Sequence, residues 1–159
     1  MATQVFTLVG VLIGALTSYF ATAVAERAKF RRQMATRWDQ RKLDTYIEYV
    51  TCIKEIQRAA MEAGRARDGG TDAADALKEM EESEHRRSVL FETFVLLSDE
   101  KAATAAHAVN QRTWELLRAA RDPSGGTAEL RGIPLVEALN VLHTAARSEL
   151  TISSSERVR

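Results

Sequence analysis

The chain has 159 residues, with 22 Lys and Arg balanced by 22 Asp and Glu, and its single cysteine, Cys52, rules out an intramolecular disulfide. The neutral total hides an asymmetry: residues 26–42 carry seven bases against Glu26 and Asp39, a net of +5, which leaves −5 on the rest. Such a collar beside an apolar segment points to a membrane surface before nucleic acid, and with only two prolines, Pro123 and Pro134, long helices are left uninterrupted.

The first stretch, Ala2 to Ala25, contains no Asp, Glu, Lys, Arg or His. As a helix it would cover roughly 36 Å at about 1.5 Å per residue, enough for a bilayer's hydrocarbon core. Ala23-Val24-Ala25 resembles a signal-peptidase site, so a secreted or periplasmic domain is the alternative. The apolar run is long for a signal peptide, and no basic side chain precedes it. The bases all follow it, so the positive-inside rule predicts a retained single-pass anchor with the N-terminus outside and the C-terminal part cytoplasmic.

Within the anchor Gly10, Gly14, Ser18 and Thr22 recur every four residues, a ridge that permits close helix–helix approach and a homodimer through the membrane. Small residues are also common in membrane helices that pair with nothing. Arg27, Lys29, Arg31 and Arg32 lie nearest the predicted inner leaflet, where each gains about 1 kcal/mol from anionic lipid; orientation alone explains them equally well.

No Pro or Gly occurs from Glu26 until Gly64, which predicts one continuous helix leaving the bilayer. Residues 26–42 read as a basic juxtamembrane stalk with a thin stripe of Phe30, Met34 and Trp38. Beyond Leu43 the apolar face broadens through Tyr46, Ile47, Val50, Ile53, Ile56 and Ala60, as in a helix packed on neighbours. Residues 43–152 are therefore expected to form a helical bundle, with helices over about 43–66, 72–97, 99–121 and 134–151. Gly69-Gly70 and Asp122 to Gly126 are the breakers, Thr71 or Asp72 and Ser98-Asp99 are candidate caps, and Pro134 suits a first helical turn. Ser153 to Arg159 reads as a polar tail. The expected fold class is all-α: a transmembrane helix, a stalk and a small antiparallel three- to four-helix bundle.

Glu82 and His85 have the E-x-x-H spacing of a di-iron bundle, but His107 and His143 follow Thr104 and Asn140, so half of that ligand set is missing. The highly charged stretch EMEESEHRR reads instead as solvated. Three histidines on three helices can converge on zinc only if they share a depth, which spacing does not establish. Cys52, beside Ile53, suits a buried structural thiol better than a nucleophile. Neither Gly-Gly pair has the frame of a phosphate-binding loop.

The reading is a non-enzymatic membrane-anchored bundle that needs no cofactor or metal and presents an interaction surface to a cytoplasmic protein, with Trp38 and Trp114 as candidate contacts. A ligand- or metal-binding sensor bundle using His85, His107 or His143 is its rival.

Overall fold

The structure, a computed structural model, describes the backbone of residues 2–156 and the side chains of Glu26, Lys29, Phe30 and residues 37–149. The chain is all-helical, with no strand among the described residues. It comprises α1 (Ala2–Asp68), α2 (Ala74–Leu97), α3 (Glu100–Arg121), the single turn α4 (Thr127–Arg131) and α5 (Leu135–Glu156). It divides into two compact units, Met1–Gln40 and Arg41–Arg159.

In the first unit the described side chains of Glu26, Lys29, Phe30, Arg37, Trp38 and Gln40 are exposed. Among the described residues, no helix is long and apolar enough to cross a membrane. The side chains of the expected anchor, residues 2–25, lie outside that description, as do Arg27, Arg31, Arg32 and Met34.

The second unit is a helical bundle, and its contacts fix the helix directions. Along α1, Glu55 bonds Ser83 and Arg86 while Arg58 meets Glu79, so α2 runs antiparallel to it. Lys42 pairs with Glu149 and the Tyr46 ring meets His143, so α5 is antiparallel to α1 as well. Glu81 with Arg121 and Arg87 with Asn110 set α2 against α3 in the same sense. The arrangement is up-down-up-down, as short connections favour.

The core follows from the helical spacing of apolar residues. Tyr49, Ile53, Ile56 and Ala60 of α1 meet Met80, Phe91 and Phe94 of α2, and Val109, Leu116 and Leu117 of α3 with Leu135, Leu139 and Leu142 of α5 complete it. Tyr49 stacks on Phe94 with ring centroids 5.6 Å apart. Ala102, Ala105 and Ala106 are buried, which keeps this part of α3 slim where its neighbours approach.

The ends show how local sequence becomes structure. Gly70 takes φ +68°, a left-handed conformation that glycine adopts without penalty, and ends the turn after α1. Asp72 accepts from the Ala74 amide at 2.9 Å, although the residue directly preceding α2 is Ala73, which supplies no side-chain cap. Asp99 caps α3 by accepting from the Ala102 amide at 2.8 Å. The backbone of α5 remains helical to Glu156, through part of the segment read as a polar tail.

The short α4 is an element that periodicity did not reveal. Five residues are too few to nucleate in isolation, so tertiary contacts must hold it. The Asp68 carboxylate accepts from the Thr127 amide at 3.1 Å, and Leu130 enters the core. Gly64 permits the approach: a Cβ there would stand 2.8 Å from Leu130 Cδ1 and 3.2 Å from the Thr127 amide nitrogen.

Burial predicts sharply different costs for two leucines. Leu142→Ala, at a fully buried position, is expected to destabilise the chain by about 2–5 kcal/mol. Leu96→Ala, where the side chain is 84% exposed, should change stability by no more than about 0.5 kcal/mol. Equilibrium denaturation followed by helical circular dichroism distinguishes the two.

Candidate functional site

The most unusual chemistry in the bundle lies where the sequence looked solvated. The α2 residues Met80, Glu84, Arg87, Phe91 and Phe94 recur at steps of three and four and all face inward, so two charged residues occupy core positions in an otherwise apolar row. Arg87 is 2% exposed and Glu84 is 8% exposed. Reading EMEESEHRR as uniformly solvated is therefore corrected: Glu82, His85 and Arg86 are exposed, whereas Ser83, Glu84 and Arg87 are buried.

Burial is tolerated because the charges are saturated with partners. Arg87 Nε lies 2.6 Å from Glu84 Oε2 and Nη2 lies 2.7 Å from Glu84 Oε1, a bidentate pair across one turn of helix. Arg87 Nη1 donates to Asn110 Oδ1 of α3. The guanidinium carbon stands 5.8 Å from the centroid of the Trp114 ring, within cation–π range. On the α1 side, the Tyr49 hydroxyl donates to the Ala106 carbonyl at 3.5 Å.

The electrostatics agree with this geometry. Burial pushes the Tyr49 phenol well above its ordinary range, with the nearby Arg87 charge pulling the other way. Burial also works against the Arg87 charge, but hydrogen bonding and Coulomb attraction from Glu84, then from Tyr49, outweigh it and raise the pKa. The cluster holds a permanent cation in the core, with a carboxylate beside it.

Among the described residues, the three histidines sit in separate surroundings. His107 packs edge-on to Phe91 at 5.1 Å, His143 edge-on to Tyr46 at 6.0 Å, and His85 lines a groove between α1 and α2. Among the described residues, no group of three or more His, Cys, Asp or Glu is placed to hold a metal ion. Cys52 is 3% exposed; burial raises its pKa against the pull of Arg86, with Glu55 and Glu48 adding to the rise. Cys52 and His85 border the same groove, a juxtaposition across two helices that spacing along the chain does not show.

Of the sequence-derived sites, Lys29 is exposed, whereas Gly10, Gly14, Ser18, Thr22, Arg27, Arg31 and Arg32 have side chains outside the described residues. Trp38 is exposed and Trp114 partly so, its ring beside Arg87. Open grooves among the described residues include one between α1 and α2 and one between α3 and α5. The one between α1 and α2, about 460 Å³, is bordered by Ile47, Thr51, Val89 and Leu90 as well as Cys52 and His85. The other, about 940 Å³, lies between α3 and α5 and is bordered by Thr104, Ala108, Val141 and Thr144 among others.

Compared with protein families, with curated proteins and with solved structures, the chain matches none.

Two measurements follow from these environments. Arg87→Met leaves Glu84 buried without its cation and is expected to cost about 3–5 kcal/mol in denaturant unfolding. Glu81, whose carboxyl is held low chiefly by its hydrogen bond with Arg121, supplies a pH test. Its folded pKa lies below the ordinary 4.5, so the unfolded chain binds that proton more readily. The stabilisation is therefore present above about pH 4.5 and is lost as pH falls through the depressed folded value. Both side chains are more than two-fifths exposed, so the gain is at most about 1 kcal/mol. The stability gap between wild type and Glu81→Gln should close on acidification; a gap independent of pH would refute the assignment.

Proposed function

We propose that the chain is a non-enzymatic, single-pass membrane protein whose helical bundle presents an interaction surface to a cytoplasmic protein. The observation that carries this reading is the charge-free stretch Ala2 to Ala25 followed at once by the basic run from Arg27 to Lys42. A helix of that length and composition suits a bilayer, and its flank orients the bundle inward. The described bundle supports the reading through what it displays. Ile47 and Val89, both more than half exposed, border the α1–α2 groove as apolar side chains available to a partner. Trp38 is a further contact point; Trp114 is partly committed to Arg87 within the bundle. Gly10, Gly14, Ser18 and Thr22 would form the helix-packing face of a homodimer.

The test combines a topology reporter fused after Arg159 with the intact mass of the membrane-extracted chain. A cytoplasmic signal and an uncleaved mass are expected. An external signal, or a mass lacking the first 25 residues, would overturn both anchor and location.

A further inference from the structure

Glu84 and Arg87 are the only charged side chains among the buried described residues, and their partners extend beyond their own helix. Arg87 reaches Asn110 and Trp114 on α3, and the Tyr49 hydroxyl of α1 donates to the Ala106 carbonyl, one turn before Asn110 on α3. Three helices thus contribute polar groups at one level of the bundle. A buried ion pair is commonly no more stable than an apolar pair of similar volume, so stability alone does not account for its place in the core. Its directional bonds supply what the apolar contacts lack.

The inward row of α2 repeats at three- and four-residue steps, with Glu84 and Arg87 set between Met80 and Phe91, and its neighbours carry apolar rows of the same spacing. Sliding α2 by one turn, about 5.4 Å, would return an inward row to the same ridges and grooves. Hydrophobic contact discriminates weakly between those registers because it is non-directional. The ionic cluster discriminates strongly. A one-turn slide carries the guanidinium away from Asn110 and leaves it only Glu84, which moves with it, so a buried donor loses its partner.

We propose that the Tyr49–Glu84–Arg87–Asn110 cluster is a register lock, which selects one axial alignment of α2 against α1 and α3 from among those the apolar rows would tolerate. The Glu84–Arg87 pair neutralises the charge within α2, Asn110 ties that neutral unit to its level on α3, and Tyr49 joins the same stretch of α3 to α1.

Spin-label distances in the full-length chain in detergent test this. The background is Cys52→Ala, with labels on cysteines replacing the exposed Glu82 of α2 and Lys101 of α3, which lie far apart along the bundle axis so that an axial slide changes their separation almost in full. The parent should give one narrow distance distribution. Tyr49→Phe with Asn110→Leu removes the interhelical partners and leaves Glu84–Arg87 intact. Tyr49→Phe, Glu84→Met, Arg87→Leu and Asn110→Leu together make the level apolar. Both variants are expected to remain helical and to show a second population displaced by about 5 Å, one helical turn, or a distribution spread over that range. A single narrow distance matching the parent in both would overturn the lock, because the apolar rows would then suffice. Loss of helical structure in the four-residue variant would also overturn it, since the cluster would then be required for folding itself.

Discussion

Taking the Arg87 guanidinium out of water is the constraint on which the bundle's arrangement turns. A buried cation is tolerated only where its donors are bonded and its charge is matched, and here those conditions involve both α2 and α3. Glu84 matches the charge from one turn away on α2, Asn110 accepts from the far side, and Trp114 offers its ring face. These groups meet at one level only when the helices stand as they do. The surrounding apolar packing provides most of the driving force for collapse, but it has no comparable directional preference.

The rest of the second unit is built to let helices approach that level closely and close around it. Alanines keep α3 slim, and aromatic rings from α1 and α2 fill the space between them through the Tyr49–Phe94 and Tyr49–Phe91 contacts. At one end Lys42 pairs with Glu149, whose other bond is to the Asp99 amide, so one carboxylate joins α1, α5 and the start of α3. Near the opposite end Arg67 donates to the carbonyls of Ala120 and Gly125, and Asp68 receives the Thr127 amide. Both ends are tied by polar bonds from α1, while the middle is held by apolar burial and the ionic cluster.

This architecture has a bearing on function. The charges inside the bundle are saturated by one another, and the grooves outside it mix small and aliphatic side chains with ionisable ones, Glu48, Cys52, His85 and Arg86 between α1 and α2 and Glu100 and Lys101 between α3 and α5. A groove that serves bond-making chemistry also needs an activated group within reach of a substrate. At Cys52 burial favours the protonated thiol, the opposite of what a nucleophile needs.

The sequence by itself determined the helical character, the approximate spans of the long helices and most of the apolar core, because these depend on local propensity and on a period of 3.6 residues. The Leu135–Leu139–Leu142 face and the Asp99 cap of α3 could be read without coordinates for that reason. The apolar stretch and its basic flank are likewise properties of neighbouring residues, and they support the membrane reading from sequence alone. Only the tertiary structure decided which charged residues of EMEESEHRR turn inward, since the inward stripe of α2 depends on where α1 and α3 pack. It also placed α4, whose single turn is held by Asp68 and Leu130 rather than by propensity. The same holds for the meeting of Tyr49, Arg87 and Asn110: hydrogen bonds between residues distant along the chain obey the geometry of packing, and no local period encodes it.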